Sequence, residues 1–152
     1  MPHSYVKIWV HAVFGTKYRK NLIVPGIKKQ VHQLIIDEVK GLDCPLLAIN
    51  SMPDHVHILF LLHRNKTIAE VMHQIKGASA YQINQQNLLP GNFAWQIGYG
   101  AFSVSESGTS KVKSYIKNQE IRYRKITFKE EYKRFAALHG FILEEGDVDT
   151  HA

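Results

Sequence analysis

His55 and His57 stand two residues apart in the run Met52-Pro53-Asp54-His55-Val56-His57-Ile58-Leu59. On a β-strand such residues share a face, so the two imidazoles project together while Val56 goes to the other side. Side chains about 7 Å apart along a strand can converge on one metal ion, for which imidazole is a common ligand. A second group lies downstream, in Lys113-Ser114-Tyr115-Ile116-Lys117-Asn118-Gln119. Tyr115 and Gln119 are four apart, hence neighbours on one helical face, and Arg122 extends that face. A tyrosine hydroxyl can attack a phosphodiester, and the phosphotyrosine formed divides one difficult step into two. The phenol has a pKa of about 10, so its proton must leave during attack, and no general base announces itself in the sequence. Neither pair is specific alone. Strand histidines are ordinarily hydrogen-bonded and no more, and a helical tyrosine is ordinarily a half-buried aromatic.

The elements that must position these residues follow from periodicity. Tyr5 to Phe14 alternates, with Val6, Ile8, Val10, Ala12 and Phe14 on one face and Tyr5, Lys7, Trp9, His11 and Val13 on the other, as in a strand. Thr16 to Lys20 reads as a basic loop. Pro25 to Lys40 is helical, with Ile27, Val31, Leu34, Ile35 and Val39 on one stripe. Cys44 to Met52 and His55 to Leu62 read as strands joined by a Pro53-Asp54 turn, apolar on both faces as central strands are. Thr67 is the N-cap of a helix running to Asn84. Asn87 to Asn92 is a loop, and Phe93 to Ser105 holds one or two short strands with a bend. Ser107 to Ser110 supplies caps for a helix from Lys111 to Arg124, and a further helix, Phe128 to His139, ends at Gly140. The order β-α-β-β-α-β-α predicts an α+β, ferredoxin-like (RRM-like) antiparallel sheet with helices on one face, plus a C-terminal helix bearing Tyr115.

Composition sets the frame. The chain has 152 residues, 45% hydrophobic and 21% charged, which suits a single domain spanning 1–152 that buries about 70% of its unfolded surface. One cysteine, Cys44, excludes an internal disulfide and a cysteine-rich zinc site. No secretory signal is evident, and the longest aliphatic or aromatic run, Ile58 to Leu62, is far short of a membrane span, so a cytoplasmic protein without membrane contact is expected. The net charge is +6, and residues 111–134 hold nine basic residues against three acidic ones, while the tail from Glu144 is acidic. A basic surface of this kind commonly meets a polyanion, nucleic acid first among them.

Pro53-Asp54-His55-Val56-His57 resembles the His-hydrophobic-His motif of the HUH endonuclease superfamily. Tyr115-Ile116-Lys117-Asn118-Gln119 is similar to the nucleophile helix of its single-tyrosine insertion-sequence transposases. The stretches Phe14 to Arg19 and Phe93 to Ser105 are also similar to that family, including its relatives associated with repeated palindromic elements. The likeness runs from Tyr5 to Gly140 with the motifs in order.

It implies that Tyr115 is the nucleophile, that His55 and His57 bind a divalent metal, and that Gln119 is a third ligand. It implies single-stranded DNA carrying a hairpin as substrate, and a homodimer in which the tyrosine helix of one subunit can complete the histidine site of the other. Mg²⁺ or Mn²⁺ fits phosphoryl transfer with this ligand set. Because the phosphotyrosine conserves the ester, a 3′-hydroxyl could later rejoin the strands without ATP. Lys17, Arg19, Lys20, Lys111 and Arg122 are candidates for neutralising the DNA backbone, and Tyr18 and Trp9 for stacking on bases. His11 shares a strand face with Trp9 and is a candidate to line the site. Two other readings compete: a single-stranded nucleic-acid-binding module without chemistry, and a domesticated hairpin-binding regulator. The first leaves the His55/His57 and Tyr115/Gln119 pairs as coincidence; in the second the intact residues argue against lost chemistry but not against a changed role.

Overall fold

In the computed structural model, which describes residues 4–119 together with 130, 133, 134, 136, 137 and 139, four strands form one sheet. Strands β1 (Ile8–Gly15), β2 (Leu46–Met52), β3 (His55–Leu62) and β4 (Gly100–Val104) lie in the order β2-β3-β1-β4, every neighbouring pair antiparallel. This is the ferredoxin-like order. β1 begins three residues later than the alternation predicts. Its partners end there: Ile8 faces Leu62, the last residue of β3, and Trp9 faces Val104, the last of β4. Val6 and Ile8 are accordingly exposed.

Helices α1 (Lys28–Gly41) and α2 (Ile68–Gln85) cover one face of the sheet. Val31, Ile35 and Val39 of α1 and Val71, Met72, Ile75 and Ile83 of α2 pack with Val10, Ala12, Phe14, Val56, Ile58 and Phe60. The residues 25–27 form a turn ahead of α1, with no side-chain cap at Ile27. Thr67 does cap α2: its hydroxyl accepts from the Glu70 amide at 3.1 Å, and the Glu70 carboxylate accepts from the Thr67 amide at 2.7 Å.

The stretch after α2 departs from its sequence reading. Only Gly100–Val104 is a strand, with one isolated bridge from Trp95 to Thr16. Phe93 and Trp95 turn inward instead, ring centroids 4.7 Å apart, and the Trp95 indole donates to buried Ser79 at 2.9 Å. The Lys76 ammonium holds the bend between them and β4, donating to the carbonyls of Gln96 and Gly98.

Helix α3 (Thr109–Lys117) lies on the opposite face, where Val112, Tyr115 and Ile116 pack over Val13, Ala48 and Leu59. It starts at Gly108 without a side-chain cap; the Thr109 hydroxyl donates instead to the Glu106 carbonyl at 2.9 Å. The expected helix from Lys111 to Arg124 is interrupted at Asn118, and Gln119 is helical again. Arg122 and most of the expected helix from Phe128 to His139 lie outside the described residues. No described helix is long and apolar enough to cross a membrane. The alternation of β3 thus sends Ile58 into the large core while its neighbour His57 faces α3. Ile58→Ala should therefore lower stability by about 2–5 kcal/mol, read from urea unfolding, through a cavity beneath the sheet.

Candidate functional site

The face of β3 that meets α3 carries His55, His57 and Leu59, all buried. The two imidazole centroids are 5.2 Å apart. Each ring is held through Nδ1. His55 Nδ1 lies 2.7 Å from Asp54 Oδ1, and His57 Nδ1 lies 3.0 Å from His11 Nε2. An ionised carboxylate only accepts, so His55 carries a hydrogen on Nδ1. This is the carboxylate–histidine pairing that orients metal-ligating imidazoles. Nε2 of His55, Nε2 of His57 and Oε1 of Gln119 are buried atoms that make no hydrogen bond among the described residues, although each residue has other contacts. Two imidazole nitrogens and an amide oxygen form a donor set suited to a divalent cation. No group of three His, Cys, Asp or Glu among the described residues could hold a metal ion.

Arg19 reaches this site by way of unusual backbone. Tyr18 and Arg19 both have positive φ, 59° and 54°, a left-handed conformation that costs energy in residues with a side chain. The guanidinium thereby comes 2.9 Å from Asp54 Oδ2. Gly15 leaves it room, since a Cβ there would stand 3.0 Å from Arg19 Nη1 and 3.3 Å from the Asp54 carbonyl. Burial pushes the Asp54 carboxyl up, but the hydrogen bond and charge of His55 and those of Arg19 outweigh it and hold the group below its ordinary value. Arg19 is therefore turned inward onto the histidine turn rather than out toward a DNA backbone.

Tyr115 hangs from α3 over the same patch. Its ring centroid is 5.9 Å from that of His57 and 6.1 Å from that of His11, edge-on to both, and it is 7% exposed. Asn50 fixes the end of the helix, its amide donating to the carbonyls of Ile116 at 2.9 Å and Lys117 at 3.3 Å. Asn50 is also the cross-strand partner of His57. Tyr115 and His57 thus meet within one chain, and buried Gln119 follows two residues beyond the pinned turn. The resemblance implies that a neighbour's tyrosine can complete the site. Here the short Glu106–Gly108 connection folds α3 back onto its own sheet. Burial lowers the pKa of His57 and of His11 well below the usual imidazole value, with neighbouring imidazoles (and, for His57, Arg19) adding to it, so both are neutral.

The remaining sequence candidates are spread more widely. Lys17, Tyr18 and Lys20 are exposed, with both ammonium groups within 6 Å of the Tyr18 ring (5.4 and 5.8 Å). Trp9 is half-buried, donating to Glu106, which also pairs with Lys7 at 3.0 Å. Lys111 is exposed beside a cavity of about 240 Å³ that His139 also lines. His11 does stand at the site, but fully buried, with one nitrogen on His57 and the other 2.8 Å from His139 Nε2. Sequence reasoning missed Asp54 and His139 as parts of the site. Asp54 was legible as the residue before His55 in a tight turn; His139, 128 residues from His11, gave no local signal.

Residues 4–119 match the model of a protein family described as IS200-like transposases. The ISDra2 transposase TnpA of Deinococcus radiodurans is 27% identical over 115 residues, covering 72% of this chain and 81% of that protein. The transposase for insertion sequence element IS200 of Salmonella typhimurium is 23% identical over 124 residues, covering 78% and 81%. Among solved structures, a putative transposase from Deinococcus radiodurans superposes with a TM-score of 0.64 at 27% identity, covering 78% of this chain and 95% of that one. A REP-associated tyrosine transposase bound to a REP hairpin shares the fold, with a TM-score of 0.61 at 14% identity over 81% and 73% of the two chains.

The Arg19–Asp54–His55 cluster gives a stability prediction. Asp54→Asn removes the charge opposite a mostly buried guanidinium, and the expected loss is on the order of 3 kcal/mol in urea unfolding. A change below about 0.5 kcal/mol would show that solvent already screens the pair.

Proposed function

The chain belongs to the family of IS200-like transposases, and from that premise we propose that it cleaves and rejoins single-stranded DNA through a covalent bond to Tyr115. The observation that carries this reading is the Tyr115 ring at 5.9 Å from His57, beside the His55–His57 pair. A nucleophile and a pair of imidazoles then face one phosphate. Tyr115 Oη attacks phosphorus as the phenolic proton leaves, a phosphotyrosine forms, and the bond to the 3′-oxygen breaks to give a 3′-hydroxyl. A 3′-hydroxyl attacking the same phosphorus reverses the exchange, joins strands and restores the tyrosine.

His55, His57 and Gln119 would hold a divalent cation, Mg²⁺ or Mn²⁺. When bound it supplies polarisation of a non-bridging phosphate oxygen and orientation of the phosphate. Asp54 and Arg19 fix the His55 ring, and α3 excludes water from its apolar side through Val112 and Ile116. Exposed Lys17, Tyr18 and Lys20, on the loop next to the histidine turn, suit contact with the backbone and bases of the single strand. A hairpin in the substrate is supported by the REP hairpin bound to the fold neighbour.

Three outcomes test this. Tyr115→Phe should abolish covalent protein–DNA adduct on denaturing gels while hairpin binding stays within a few-fold, because the packed ring is retained. Adduct at undiminished yield would move the nucleophile elsewhere. Excess chelator should stop cleavage, and His57→Ala should raise the Mn²⁺ needed or eliminate turnover, with Gln119→Ala milder since water can replace a neutral oxygen. Cleavage that survives chelation is incompatible with the metal reading. Finally, Tyr115→Phe co-expressed with a His55→Ala, His57→Ala double variant should stay silent, an expectation supported by α3 lying on its own sheet. Recovered cleavage in purified mixed dimers would mean that α3 crosses to a neighbour during the reaction.

A further inference from the structure

Three imidazoles form a continuous hydrogen-bonded chain that starts at the site and ends at the edge of a cavity. His57 Nδ1 lies 3.0 Å from His11 Nε2, and His11 Nδ1 lies 2.8 Å from His139 Nε2. His11 is fully buried between them. His139 stacks on Phe102, rings 4.8 Å apart and 15° from parallel, and Phe102 is the cross-strand partner of His11. The chain therefore crosses the α3 face of the sheet from β3 over β1 to β4.

Each link needs one hydrogen, and a neutral imidazole has one to give. The links therefore have a common direction. If His57 carries its hydrogen on Nδ1, it donates to His11 Nε2; His11 then carries its own on Nδ1 and donates to His139 Nε2. In that direction His57 Nε2 presents a lone pair. In the reverse direction all three hydrogens move to Nε2, both links survive, and His57 Nε2 is blocked by a hydrogen. No mixed arrangement of neutral rings satisfies both links.

We propose that His11 and His139 are positioning residues for His57, forming a tautomer-coupled chain that decides whether its Nε2 can accept a cation. The proposal rests on the reading of His57 as a metal ligand. His55 needs no such chain, because its Nδ1 lies 2.7 Å from the Asp54 carboxylate, which can only accept. His57 Nδ1 faces an imidazole, His11, so its tautomer is coupled to a residue two rings away. Reciprocally, a cation on His57 Nε2 forces hydrogen onto Nδ1 of His139, at the far end of the chain.

Long-range ¹H–¹⁵N spectra of the imidazoles in the full-length, ¹⁵N-labelled protein test the chain. With saturating Mg²⁺, His11 and His139 should both carry hydrogen on Nδ1; hydrogen on Nε2 of either ring overturns the proposal. His139→Phe keeps a ring to stack on Phe102 and removes the acceptor. Mn²⁺ affinity, followed by electron paramagnetic resonance, should fall roughly tenfold to a hundredfold in that variant. His139→Gln, which restores an acceptor near the position of Nε2, should recover most of it. Unchanged affinity in a folded His139→Phe overturns the proposal. In metal-free protein His139→Phe should also shift the tautomer balance of His57, and an unchanged balance overturns the chain. If the wild-type protein takes up no Mn²⁺, the metal reading fails and the metal-free spectra alone decide the coupling. If a variant fails to fold, the wild-type spectra still decide it.

Discussion

The site depends on burying imidazoles without charging them. Tyr115 of α3 lies over His57 and His11, and removing water there disfavours the imidazolium form of both. A neutral imidazole still has a donor, and a buried donor without an acceptor costs about 1–3 kcal/mol. Asp54 accepts from His55, while the His11–His139 chain provides for His57. With Nδ1 of each ring engaged this way, the two Nε2 atoms lie on one strand face.

The backbone around the site serves that arrangement. Gly15, Tyr18 and Arg19 form a tight passage from β1 that returns a guanidinium to the Pro53-Asp54 turn. Its left-handed residues are costly for side chains of this size, and the buried ion pair with Asp54 is what holds them. On the opposite side, Asn50 grips the end of α3, so the helix that carries Tyr115 is registered against the strand next to His57. One asparagine thereby ties the distance between Tyr115 and the histidines to sheet geometry. Rigid elements place both partners of the proposed reaction, which is what a phosphate held between them requires.

Much of this was legible in the order of residues. The two-residue period of β3 puts His55 and His57 on one face and Val56, Ile58 and Phe60 on the other, and the fold obeys it. Thr67 announces its cap by the glutamate three residues on, and the Pro53-Asp54 hairpin is as short as it reads. These are local rules, set by backbone periodicity and by side chains that reach only their neighbours. What only tertiary structure decided is where the chain meets itself. Periodicity could not say that Arg19 turns inward, because its partner Asp54 is 35 positions away and the path needs two left-handed residues. Nor could it say that Phe93 and Trp95 leave the sheet for the core, since alternating aromatics suit a strand as well as a packed bend. The contact of His11 with His139 spans 128 positions, and no local pattern encodes a hydrogen bond of that reach. Sequence named the residue types that could do chemistry; burial and long-range packing decided which groups hold Nδ1 of each ring.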